Sequence, residues 1–110
     1  MKTLILFTLI AFTTFSFKQD KIQEVVIKTS SECNECKERI EEKLNYTKGV
    51  TYVNLEVSSK QLTVKFKPEK ITLEKIKQIL SDLGYDADDV KANPISQQKL
   101  PKCCQPSGMK

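Results

Sequence analysis

Four cysteines in a chain of 110 residues with no histidine define the available chemistry. Cys33 and Cys36 form C-N-E-C, and Cys103 and Cys104 are adjacent near the C-terminus. Thiols without imidazole exclude histidine-based acid–base catalysis and leave soft-metal binding or thiol redox. A C-x-x-C at the start of a helix brings two sulfurs together, and the helix N-terminus and the neighbouring Lys37 favour thiolate over thiol. Two thiolates suit soft ions such as Cu(I), and can also bind Zn(II) or Hg(II); softness names a class of metals, not one metal. Cys36 also falls on the apolar stripe of Ile40 and Leu44, so a packed core thiol is its other reading. Cys33 has no such explanation.

The adjacent pair is less constrained. Neighbouring cysteines rarely bond to each other, because disulfide geometry is demanding. The segment from Asp86 to Lys102, about 17 residues, spans roughly 20–25 Å even as a flexible coil. Cys103 and Cys104 can therefore complete a four-sulfur site with the first pair, which suits tetrahedral Zn(II). They can also pass metal to or from it, form disulfides with the loop, or remain as an exposed thiol tail. As read from the sequence, the pair lies outside the domain core. Met109 is a weak thioether candidate.

The elements that must position these thiols follow from hydrophobic periodicity. Ile22 to Thr29 reads as a strand. Ser31 is the expected cap of a first helix carrying Cys36, Ile40 and Leu44 to about Tyr46, with Gly49 as its stop. Val53, Leu55 and Val57 alternate with polar residues, as do Leu62, Val64 and Phe66, and the intervening Ser58–Gln61 is short enough for a hairpin. Pro68 ends the second strand. A second helix is predicted over Leu73–Leu83, with Thr72 as N-cap, Glu74 in the first turn, an apolar stripe from Leu73 to Leu83, and Gly84 as the stop. Tyr85 to Val90 reads as a short final strand, and the stretch from Asn93 to Pro101 as a polar tail. The expected architecture is α+β: a ferredoxin-like βαββαβ sandwich with a four-stranded antiparallel sheet and two helices on one face.

The N-terminus adds a location. Met1-Lys2 precedes an uncharged run from Leu4 to Phe17 that Lys18-Gln19-Asp20 ends, the pattern of a secretory signal peptide and short for a membrane span. Cleavage after Ser16 would divide the chain into a leader (1–16), a domain (17–90) and a cysteine-containing tail (91–110). An exported protein, periplasmic or secreted and free of the membrane after cleavage, is expected. In such a compartment thiols pair unless a metal or reductant protects them. The formal charge of +4 is interleaved with acids, and there is no tryptophan, so nucleic acid is not an expected partner.

Several other signals carry no chemistry. Asp86-Ala87-Asp88-Asp89 lacks the glycine and distal glutamate of a calcium loop. Glu41 and Glu42, adjacent on a helix, face different directions. No glycine-rich phosphate loop is present, and no enzymatic activity is expected. A thiol–disulfide oxidoreductase remains the alternative, although none of the four prolines falls where a thioredoxin-like site would need one. A partner-binding module with structural cysteines is a third reading.

The segment from about Ile22 to Asp86 resembles the heavy-metal-associated domain family of copper metallochaperones, N-terminal modules of copper-exporting ATPases and the periplasmic mercury-binding protein. The resemblance rests on C-N-E-C at a helix start, Ile40 and Leu44, Gly49-Val50, the two alternating strands, and Leu83-Gly84-Tyr85. It implies the ferredoxin-like fold, Cys33 and Cys36 as metal ligands, Tyr85 in the loop beside the metal, and a metal-transporting ATPase or another thiol-bearing acceptor as partner. Where the family reads Gly-Met-Thr before the first cysteine, this chain has Ser30-Ser31-Glu32. Glu32 and Glu35 add carboxylates beside the site, which disfavour thiolate formation but attract cations. That shifts weight toward zinc or cadmium.

Overall fold

The computed structural model describes residues 21–105. The predicted leader and Met109 lie outside them. The elements in order are β1 (Gln23–Lys28), α1 (Asn34–Asn45), β2 (Val50–Glu56), β3 (Gln61–Phe66), α2 (Leu73–Leu83) and α3 (Pro94–Gln98), followed by a 3₁₀ turn at Lys102–Cys104.

The three strands form one antiparallel sheet in the order β1-β3-β2. Period-two alternation lines up apolar rows across it: Ile27, Leu62 and Leu55 in one, Val25, Val64 and Val53 in the next. The helices cover that face. Cys36, Ile40 and Leu44 of α1, and Ile76 and Leu80 of α2, are fully buried against the inward residues of the strands. Thr72 Oγ1 caps α2 by accepting from Lys75 N at 3.1 Å, and Gly84 ends it in the left-handed conformation at φ 104°.

A four-stranded sheet is not formed among the described residues. The segment after Gly84 touches β1 through a single bridge, Thr29 to Ala87. Asp88 then turns the chain at φ 52°. The N–H and C=O of Ala87 are both consumed by Val90, at 2.8 and 2.9 Å, so they are lost to a ladder. Asp88 Oδ1 accepts from Lys28 N at 2.8 Å, which occupies the last donor on the edge of β1 with a side chain. Lys77 of α2 clamps this turn through Asp88 and Asp89, at 3.4 and 3.2 Å.

Three further expectations are corrected. Ser31 does not cap α1; Cys33 holds the N-cap position with extended backbone, and its carbonyl accepts from Cys36 N and Lys37 N. Gly49 does not stop α1, which ends at Asn45. At φ 97° Gly49 instead leads into β2, packed against Lys70 and Ile71. The stretch from Asn93 to Pro101, read from the sequence as a polar tail, folds onto the domain. Asn93 Oδ1 accepts from Ile95 N and Ser96 N, at 3.0 and 3.3 Å, and Pro94 starts α3. Leu100 and Cys104 are buried members of the main core.

Candidate metal centre

Cys33 lies at the centre of the site because of where the backbone turns. The loop between β1 and α1 is held from below: Ser31 is fully buried and its hydroxyl pairs with Thr29 Oγ1 at 2.8 Å. Ser30 Oγ accepts from Asp86 N at 2.9 Å, tying the loop to the segment after α2. Cys33 is thus presented at the positive end of α1, partly exposed, while Cys36 points into the core one turn on.

The C-terminal segment delivers the second pair to the same place. Three sulfurs lie around Cys33 Sγ: Cys103 at 3.0 Å, Cys36 at 3.5 Å and Cys104 at 3.5 Å. Cys103 and Cys104 are 3.8 Å apart. The sulfurs of Cys33, Cys103 and Cys104 all fall within 4.8 Å of one another, a spacing that can hold one ion. A tetrahedral ion with metal–sulfur bonds of about 2.3 Å has ligand sulfurs about 3.8 Å apart. The Cys103–Cys104 separation matches that value, the two at 3.5 Å fall slightly inside it, and the 3.0 Å between Cys33 and Cys103 falls well short; Cys36 lies beside Cys33 but outside that mutually close group of three. All four cysteines are free thiols.

Both carboxylates beside the thiols are engaged. Glu32 pairs with Lys60 at 2.9 Å, which removes much of its charge from the site. Glu35 accepts from Cys103 Sγ at 3.2 Å. Lys37, expected to favour the thiolate, instead lies on β2, donating to Leu55 O at 2.7 Å and pairing with Glu41 at 2.8 Å.

The thiols consequently differ in acidity. Burial raises the Cys33 thiol, but hydrogen bonding with the Cys103 side chain, with the Cys36 backbone, and with the Cys104 and Cys36 side chains outweighs it and brings its pKa down to about 7. Cys103 is pushed up to about 11 by its hydrogen bonds to Cys33 and Glu35, with burial adding to the shift. Cys104 is raised further still by burial and by the sulfurs of Cys36 and Cys33. Of Cys33, Cys103 and Cys104, Cys33 therefore loses its proton first, and a bound ion would displace the protons of the other two.

Tyr85 forms the floor of the site. Its side chain is fully buried, and its hydroxyl has no hydrogen-bond partner. Burial first, and the adjacent Cys36 and Cys104 sulfurs second, hold the phenol well above its ordinary range, so it stays protonated. An unpaired buried hydroxyl costs about 1–3 kcal/mol. A donor facing two sulfurs is satisfied once those sulfurs carry the negative charge of a metal-bound thiolate. The donor set therefore fits a soft or borderline cation: sulfur ligands only, no imidazole, and an orphaned donor aimed at them.

Sequence reasoning singled out Cys33 and Cys36 as candidate ligands and weighed a four-sulfur site, but it placed the second pair outside the core, where the structure buries Cys104. Two signals pointed the other way. Asn93-Pro94 is a helix-start pair, and Leu100 is an apolar residue in a polar stretch.

Comparison with known proteins bears on the segment that carries Cys33 and Cys36. The family model for the heavy-metal-associated domain matches residues 31–86. Over 64 residues the chain is 30% identical to the copper chaperone CopZ of Staphylococcus aureus, a match covering 58% of this chain and 94% of that protein. It is 35% identical over 66 residues to copper-transporting ATPase 2 of Homo sapiens; the match covers 60% of this chain but only 4% of the ATPase. Among solved structures, a CopZ metallochaperone superposes with a TM-score of 0.56 at 26% identity, covering 59% of this chain and 98% of that one. Oxidised MerP from Ralstonia metallidurans shares the fold at a TM-score of 0.59 and 22% identity, covering 62% of this chain and 96% of that one.

Proposed function

Because the chain belongs to the heavy-metal-associated domain family, we propose that it is an exported carrier or scavenger of a soft metal ion, bound through the thiolates of Cys33 and Cys36. The observation that carries this reading is the Cys33 thiol, acidified to about 7 and 3.5 Å from its C-x-x-C partner at the start of α1. Cu(I) is the first choice, since the relatives similar to this chain include a copper chaperone and a copper-transporting ATPase. Zn(II) and Hg(II) are the alternatives that sulfur ligands admit. Delivery proceeds by ligand exchange: an incoming thiolate joins the ion before an existing ligand leaves. A metal-transporting ATPase, or another acceptor bearing a thiol pair, fits that step. Export rests on the uncharged run from Leu4 to Phe17.

The test is titration of the reduced protein with Cu(I) and with Zn(II), followed by native mass spectrometry. One equivalent is expected to bind, and Cys33→Ser with Cys36→Ser is expected to weaken binding sharply. Unchanged binding by that double variant would show the assignment to be wrong. The 3.0 Å approach of Cys33 to Cys103 favours thiol–disulfide exchange as a second reading. That reading predicts insulin reduction at thioredoxin-like rates, whereas metal carriage predicts none.

A further inference from the structure

The two cysteines nearest the C-terminus lie outside the matched segment 31–86, yet their sulfurs lie against Cys33. We propose that Cys103 and Cys104 are ligands of the same ion as Cys33 and Cys36, so that the C-terminal segment closes a two-thiolate site into a four-sulfur one. This inference rests on the soft-metal reading above and adds what that reading does not contain: a built-in second half of the site.

The segment is docked independently of the thiols. A Cβ on Gly84 would meet Gln97 Cα and N and Ser96 C at 3.0 Å, so α3 is seated directly on the glycine that ends α2. Ser81 accepts from Asn93 N at 3.0 Å through its carbonyl and donates through Oγ to Lys91 O at 2.7 Å. Leu100 is buried in the core. Gln105 Nε2 then folds back, donating to Leu100 O at 3.0 Å and Gln98 O at 3.3 Å, and closes the turn that carries both sulfurs. With the turn held in this way, Cys104 is wholly buried beside Cys33 and Cys36, while Cys103 stays exposed at the rim.

The geometry suits d¹⁰ ions that accept three or four thiolates, namely Zn(II), Cd(II) and Cu(I). The short Cys33–Cys103 separation of 3.0 Å opens as the ion enters, and the exposed residue is the one free to move. Pre-positioned ligands on the same chain act at high effective concentration, which raises affinity by about 10²–10⁴-fold over the two-thiolate site alone. Handover to an acceptor begins by displacing Cys103, the ligand open to solvent.

The experiment compares the reduced protein with Cys103→Ser, and with Cys103→Ser plus Cys104→Ala, each loaded with Zn(II) and in parallel with Cu(I). X-ray absorption at the metal edge counts the sulfur neighbours, and competition with a chromophoric chelator reports affinity. Four sulfurs are expected around Zn(II) in the unmodified protein, three in the single variant and two in the double variant, with affinity falling about 100-fold or more in the double variant. The exposed Cys103 makes the single variant informative even if loss of the buried Cys104 disturbs folding. Two sulfurs in the unmodified protein, or variants that keep its sulfur count and affinity, would overturn the four-sulfur site and leave the Cys33–Cys36 assignment standing. No ion bound by the unmodified protein would overturn both.

Discussion

At the scale of single residues, the site is set by the unequal acidity of chemically identical groups. Cys33 sits at a helix N-terminus with the sulfurs of Cys36, Cys103 and Cys104 around it, and hydrogen bonding with them outweighs burial and brings its pKa from 9.0 to about 7. Cys103 is pushed up to about 11 by its hydrogen bond with Cys33 first and by donating its own proton to Glu35 second. For a thiol, a lowered pKa means more anion at a given pH. Alkylation of Cys33 by iodoacetamide in the metal-free protein is therefore expected to rise through a midpoint near pH 7 and then level off, with Cys103 lagging by several pH units; peptide mapping after short pulses resolves the two. A Cys33 midpoint near 9 would contradict the hydrogen-bonded arrangement. The sign for stability follows the same shift. Cys33 contributes stability that is present above pH 9, its ordinary value, and is lost as pH falls through about 7. Cys103, shifted the other way, contributes below pH 9 and loses that contribution as pH rises through about 11.

At the scale of elements, the decisive contact is between Gly84 and α3. Gly84→Ala forces an L-residue to φ 104° and drives a Cβ to within 3.0 Å of the Gln97 backbone. The left-handed conformation alone costs about 1–2 kcal/mol, and displacement of α3 adds to it. Urea unfolding is expected to show a loss of at least that size. A change within about 0.5 kcal/mol, ordinary for a surface position, would show that α3 is not seated there. The elements differ in how far the sequence revealed them. Helix α2 was legible to its boundaries because Thr72, the apolar stripe and Gly84 all act locally. Strand β3 was legible because one of its faces is buried along its whole length, leaving clean alternation at Leu62, Val64 and Phe66. The expected fourth strand failed because side-chain competition decides it: Asp88 takes the Lys28 N–H, a preference that hydrophobic alternation does not register. Ser31 had the right chemistry for a cap but is spent under the loop on Thr29. The first cysteine pair was legible from its spacing within one turn. Its meeting with Cys103 and Cys104 was not, because it depends on the docking of α3, and short polar helices carry little periodic signal.

At the scale of the whole molecule, the thiols lie at opposite ends of the described chain. Cys33 and Cys103 are separated by 70 positions in sequence and 3.0 Å in space. An ion bound across them links the start of α1 to the final turn and has no equivalent site in the unfolded chain, so loading stabilises the fold by mass action. For a ligand confined to the native state, free ion at 1,000 times its dissociation constant adds about 4 kcal/mol. In a domain of this size each kcal/mol moves the thermal midpoint by about 4–8 °C. Reduced protein held at that excess of Zn(II) is expected to melt more than about 10 °C above the metal-free form. Loading is also expected to protect the bonds after Lys99 and Lys102 from trypsin, since cleavage there requires the docked segment to lift away. The two measurements separate local from global coupling. A raised midpoint with unprotected lysines would place the ion on the first cysteine pair alone, with the C-terminal segment still opening freely. An unchanged midpoint would mean that the ion binds folded and unfolded chains equally well, as it would if the four sulfurs were not brought together by the fold.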